Sequence, residues 1–169
     1  MNKILLSTLG CLLVVSAYSQ DKLYTHKGDT LNVYVKEVNE SSIRFTYPNE
    51  QSINTLSKNA TEKIEYESGR VQQITEKIII NDYKDWEKVV ITNLESDVQG
   101  LTKGSELKAK AKGTTFTSQG RVEERAFEKL KKEAAAKGYH TLLILTTTGK
   151  SGSPYSSASS SIRAIGYKY

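Results

Sequence analysis

The chain has 169 residues, with 24 Lys+Arg against 19 Asp+Glu and a formal charge of +5, a length that allows one large domain or two small ones. A hydrophobic share of 37% beside 25% charged residues excludes a disordered or wholly membrane-embedded chain, and the mixed-sign charge lacks the dense basic clustering of a duplex-DNA reader. One Cys and two His leave almost no raw material for a disulfide framework, a zinc site or a Cys/His dyad.

Residues 1–19 have the three parts of a secretory signal peptide: Lys3 near the start, an apolar stretch over residues 4–15, and small residues at Ala17 and Ser19. The apolar stretch is shorter than the ~20 residues needed to span a bilayer. Cleavage is expected between Ser19 and Gln20. The alternative is a lipoprotein cut before Cys11, but Thr8 stands where such sites carry Leu, and Leu12, Leu13, Val14 and Val15 continue the apolar run beyond it. Cleavage at Ser19 yields an exported, thiol-free protein, periplasmic or secreted, with no transmembrane span. Its expected partners are an envelope protein or an anionic glycan or lipid, with no nucleic acid; a homo-oligomer is also open.

Residues 20–75 read as short strands separated by turn signals. Lys27-Gly28-Asp29 is a turn, and Leu31, Val33 and Val35 then alternate onto one face. Ile43, Phe45 and Tyr47 repeat the alternation, Ile53 and Leu56 suggest another strand, and so do Ile64 with Tyr66 and Val71 with Ile74. Five short strands in ~50 residues suit a small antiparallel β-barrel, whose closure removes exposed edges. The order of strand, Lys-Gly-Asp turn, long strand, polar break and strand, followed by Lys63-Ile64-Glu65-Tyr66-Glu67-Ser68-Gly69, resembles the SH3-like or Sm-like barrel at the start of many exported Bacteroidetes proteins. Some Sm-like barrels bind RNA; the export signal argues against carrying that role over.

Residues 76–87 read as a connector, in which Ile78-Ile79-Ile80 adds a strand or crosses between pieces. Trp86, the only Trp, is either a packing anchor or a stacking platform for a ligand, and aromatic energetics favour the anchor. Residues 88–169 predict the order β-β-α-β-β, an α+β sandwich with one main helix. Leu107, Ala109 and Ala111 alternate with Lys108, Lys110 and Lys112. A helix is expected over residues 119–137, with Val122, Ala126, Phe127, Leu130 and Ala134 on one stripe, Ser118 as N-cap and Gly138 as the left-handed stop. Leu142-Leu143-Ile144-Leu145, apolar on both faces, predicts a central strand. A Ser/Gly loop over residues 149–161 then leads to the last strand. The Lys/Glu/Ala helix with its Ala134-x-x-x-Gly138 step, the buried strand and the closing Ile165-Gly166-Tyr167 look like the YbjQ-like family and the domain of the outer-membrane Rcs stress-sensor lipoprotein. The disulfides of the Rcs sensor have no counterpart in a chain without mature Cys. The heavy-metal label of YbjQ-like proteins finds no Cys, His or carboxylate cluster to rest on, so no cofactor or metal is expected.

The catalytic motifs fail on spacing. Gly149-Lys150-Ser151 suggests a phosphate loop, but that motif needs Gly where Ile144 stands, and a following helix. The serines of residues 151–161 lack a Gly-x-Ser-x-Gly elbow, and His26 and His140 lie in different pieces. No catalytic residue is therefore assigned. Two interaction features remain. Lys103, Lys108, Lys110 and Lys112 form a ladder that either docks an anionic glycan or lipid headgroup or protects an edge strand against sheet-to-sheet pairing. Lys150, Ser151 and Tyr155 lie in the loop, which is either a solvated tip or a partner-binding element. The sequence thus points to a non-enzymatic interaction or sensing module of the envelope. An envelope glycan-acting enzyme, with a carboxylate pair invisible to spacing, and a ring-forming structural protein are the alternatives.

Overall fold

The computed structural model describes residues 20–114, 117–153 and 156–169. The fold is α+β, and the described residues form ten strands in two sheets and one main helix. Among the described residues no helix is long and apolar enough to cross a membrane.

The first sheet contains β1 (Asp21–Thr25), β2 (Thr30–Val38), β3 (Ser42–Thr46), β4 (Asn54–Ser57), β5 (Thr61–Glu65) and β6 (Val71–Gln73), one strand more than the five expected. Its order is β4-β3-β2-β1-β5-β6, antiparallel throughout. Gly28, at φ 105°, closes the β1–β2 turn, a conformation that a side chain resists. The alternation read from sequence places Val33, Ile43, Phe45 and Ile64 in one core, which Leu23 of β1 completes, with Leu31, Val35 and Tyr47 packed at its margin. A register shift between Val35 and Glu37 bends β2.

The sheet stays open, so the expected closure into a barrel is not found. The short strands β4 and β6 occupy opposite edges. The backbone of β4 is used elsewhere: Ser57 N–H donates to the Gln99 carbonyl at 3.0 Å and Ser57 Oγ donates to the Asp97 carbonyl at 2.7 Å. Asn59 Nδ2 also donates to the Asp97 carbonyl, at 3.0 Å. These bonds tie the edge to a 3-10 turn, Glu95–Val98, that belongs to the second half of the chain.

The second sheet contains β7 (Val90–Thr92), β8 (Thr102–Lys112), β9 (Thr141–Lys150) and β10 (Ser159–Lys168) in the order β7-β9-β10-β8. The β7–β9 pair is parallel, and the β9–β10 and β10–β8 pairs are antiparallel. The helix α1 (Gln119–Ala136) covers one face, burying Val122, Ala126, Leu130 and Ala134 against Leu107, Ala109, Ala111, Leu142, Ile162 and Ala164. Spacing of four residues puts these side chains on one stripe, and alanines on both partners let helix and sheet approach closely. Gly138, at φ 71°, ends the helix as expected, and Tyr139 N–H reaches back to the Ala134 carbonyl at 2.9 Å. Ser118 occupies the N-cap without a capping side-chain bond.

β9 is internal, as its apolar faces imply. Leu142 joins the helix-side core and Leu143 packs on the opposite face with Val98 and Tyr167. Cover ends there, because Leu145 is 46% exposed. The strands also run further than read: Lys150 still belongs to β9 and Ser159 already belongs to β10, so the linking loop shortens to residues 151–158. In the connector, residues 78–80 cross between the sheets without forming a strand, and a 3-10 turn follows at Tyr83–Lys88. Trp86 packs against the helix-side core with the ammonium groups of Lys131 and Lys132 5.6 and 5.2 Å from its ring, the packing-anchor arrangement.

Candidate functional site: a basic face on the second sheet

The face of the second sheet opposite α1 is built by strand register. Along β8, the inward positions Leu107, Ala109 and Ala111 are buried while Lys108, Lys110 and Lys112 are exposed on the other side. Pairing sets Lys108 beside Arg163, Lys110 beside Ser161 and Lys112 beside Ser159 on β10. On the next strand the same rows continue into Thr146, Thr148 and Lys150. Three parallel rows result: cations on β8, hydroxyls ending in Arg163 on β10, and threonines ending in Lys150 on β9.

The upper end forms a depression of about 250 Å³ lined by Lys110, Lys112, Thr148, Lys150, Ser159 and Ser161. Its floor is backbone and small residues, because Ala111, Gly149 and Ser160 lie beneath it. Gln119, the first residue of α1, packs against Gly149 from the other side and donates from Nε2 to the Ser159 carbonyl at 3.3 Å. That bond anchors the hairpin end to the helix. Two strand spacings separate Lys112 from Lys150, ~10 Å between backbones, at which paired charges in water repel by only ~0.4 kcal/mol. The fold therefore tolerates the cluster without neutralising it.

The lower boundary is an ion pair. Arg163 Nε donates to Glu106 Oε1 at 2.6 Å, and this bond holds the Glu106 carboxyl below its usual range and raises the Arg163 guanidinium. Above that pair the three rows carry no carboxylate. Each Lys amino group donates and has no acceptor capacity, while Ser and Thr hydroxyls both donate and accept. The face thus presents cationic groups flanked by hydroxyls, a chemistry complementary to negative charge.

The sequence-predicted residues divide accordingly. Lys108, Lys110 and Lys112 from the ladder meet Lys150 from the supposed loop, two features separated by nearly forty residues in sequence. Lys103 does not join them; it lies at the other end of β8, opposite Tyr167, in a hollow with Glu95, Val98, Leu145 and Ile165. Ser151 is exposed beyond the end of β9 and does not line the depression. Tyr155 and Ser19 lie outside the described residues, and Gln20 is the first described residue. Sequence reading missed Ser159, Ser161 and Arg163; their alternation with Ser160, Ile162 and Ala164 was the available signal. β8 is also an edge strand, so protection of that edge by lysine has the same structural footing.

A second convergence lies where the sheets meet. The only two histidines, read as separated, both pack on Tyr169: His140 stacks on its ring at 3.9 Å between centroids and His26 tilts against it at 5.0 Å. Tyr169 Oη accepts from Ile78 N–H at 3.0 Å. His140 Nδ1 pairs with Thr141 Oγ1 at 2.9 Å, and buried Nε2 has no partner among the described residues. Burial, aided by nearby His26, lowers the His140 pKa to about 4. Burial also lowers His26, against a smaller opposing pull from Glu62, and its Nε2 bonds Thr75 Oγ1 at 2.8 Å. Two neutral, buried rings clasped on a tyrosine make a packing junction.

Compared with protein-family models, curated proteins and solved structures, the chain has no match in any of the three.

Proposed function

We propose that this protein is an exported, non-enzymatic interaction module of the bacterial envelope, using the basic face of its second sheet to hold an anionic glycan or lipid headgroup. The observation that carries this reading is the convergence of Lys110, Lys112 and Lys150 around the hydroxyls of Ser159, Ser161 and Thr148. A surface that only kept neighbouring sheets apart needs lysines on β8 alone; the additional Lys150, two strands away, favours a ligand. An envelope compartment, proposed from the signal-like residues 1–19, offers acidic glycans and lipid headgroups as the available anions.

The fold proposals rest on particular elements. The SH3-like reading of the first sheet is supported by the strand order β5-β1-β2-β3-β4, the bend in β2 and the 3-10 turn at Lys58–Ala60 between β4 and β5. The YbjQ-like and Rcs-sensor-like reading of the second is supported by buried Ala134 and left-handed Gly138 closing the helix before an internal strand.

The test is binding of acidic glycans and of anionic vesicles at two salt concentrations, for the natural protein and a Lys108→Ala/Lys110→Ala/Lys112→Ala variant. Salt-sensitive binding that the variant loses is expected; equal binding by both proteins refutes the assignment of the face. Cell fractionation with N-terminal mass analysis tests the compartment, where a protein beginning at Gln20 outside the cytosol is expected and an intact Met1 inside it refutes export.

A further inference from the structure

Resting on the reading of this face as an anion-binding surface, we infer that its ligand is a linear polyanion, an acidic glycan chain lying along β10, and not a single anionic group. The register makes a track. Lys108, Lys110 and Lys112 follow one another on β8 at a repeat of ~6.7 Å, so the cation row extends ~13 Å along the strand. Arg163, Ser161 and Ser159 run beside them at the same repeat, and Thr146, Thr148 and Lys150 form the far side. A single phosphate or carboxylate in the depression meets Lys110, Lys112 and Lys150 and leaves Lys108 one repeat outside. A chain carrying successive negative charges engages the whole row down to the Arg163–Glu106 pair, where an acidic side chain ends the track.

The side chains also select the class of polymer. Lysines are point charges on flexible stems, suited to carboxylate or sulfate groups at variable angles and without the planar fork with which Arg reads one fixed geometry. The central hydroxyls donate and accept, as sugar hydroxyls do. A membrane surface calls for apolar residues to enter the acyl boundary next to the cations, and above the ion pair the three rows contain only Lys, Arg, Ser and Thr.

The test titrates the purified protein with polygalacturonate and heparin oligosaccharides, with inorganic phosphate, and with phosphatidylglycerol vesicles. The variants are Lys108→Gln, Lys110→Gln and Lys112→Gln, all at exposed positions. For the oligosaccharides, each substitution is expected to weaken binding about 5- to 10-fold and to reduce the slope of log K against log salt by about one. Phosphate affinity is expected to fall for Lys110→Gln and Lys112→Gln and to stay unchanged for Lys108→Gln. Oligosaccharide binding that ignores Lys108→Gln but falls with the other two overturns the track and leaves a single-anion site, with the proposed function intact. Binding to vesicles without binding to either oligosaccharide overturns it in favour of a membrane surface. Absence of binding to every anionic probe removes both the track and the proposed function, leaving the lysines as guards of the β8 edge.

Discussion

Lowering the pH from 7.5 to 5 is expected to destabilise this protein through His140. The ring is 3% exposed, stacks on Tyr169, and has a buried Nε2 with no partner among the described residues, so a proton added there is neither solvated nor hydrogen-bonded by them. Its pKa falls from 6.5 to about 4 on folding, because burial penalises the charged form and His26 adds to the penalty. The unfolded chain therefore takes up a proton between pH 6.5 and 4 that the folded chain refuses. Stability from this group is complete above pH 6.5 and declines as the pH falls toward 4. By pH 5 the linkage amounts to ~2 kcal/mol, or about 1–2 kcal/mol once partial access of water is allowed for. His26 acts in the same direction, being lowered mainly by burial, while Lys77, over the Tyr169 ring, and Lys168, beside His140, add positive charge to the junction. The assay is urea denaturation at both pH values for the natural protein and for His140→Phe. Phenylalanine keeps the stack but cannot titrate. It sacrifices the bond to Thr141, so the variant starts less stable. It should then lose about 1–2 kcal/mol less than the natural protein on acidification. Equal losses in the two proteins would refute the assignment of the acid sensitivity to His140.

Other consequences follow from individual contacts. A Cβ at Gly166 would meet the Tyr139 ring at 2.2 Å, and that ring is held by Ser105 N–H donating to its Oη at 2.9 Å. Gly166→Ala is therefore expected to cost about 1–3 kcal/mol in chemical denaturation, and an unchanged midpoint would contradict the packing. Ser57, fully buried, gives its hydroxyl to Asp97 and accepts from Asn59 N–H at 3.0 Å. Ser57→Ala should destabilise by about 1–2 kcal/mol, because the part-buried Asn59 N–H loses its acceptor while the Asp97 carbonyl keeps only the Asn59 Nδ2 donor, and hydrogen exchange should quicken at Asn59 more than in α1. Lys110→Ala/Lys112→Ala should leave the thermal midpoint unchanged or slightly higher, since like charges are removed from an exposed face; a clear fall in the midpoint would show that these lysines stabilise the fold.

Local patterns in the chain determined most of the elements by themselves. The four-residue spacing from Val122 to Ala134 specifies a helix with a single buried stripe, Gly138 can turn left-handed at little cost, and Leu107, Ala109 and Ala111 cannot alternate with three lysines without sending the two sets to opposite sides of a strand. These are short-range consequences of backbone geometry and solvation. Whether the first sheet closes was decided elsewhere, by the bonding of Ser57 and Asn59 to a turn some forty residues away. The length of the β9–β10 hairpin was likewise hidden, since serines and threonines serve equally in a loop or on the solvated side of a strand. Only tertiary structure set Lys150 opposite Lys110 and Lys112, and only it brought His26 and His140 to one tyrosine. Register between strands and docking between sheets depend on long-range packing, and residues that far apart leave no shared period in the sequence.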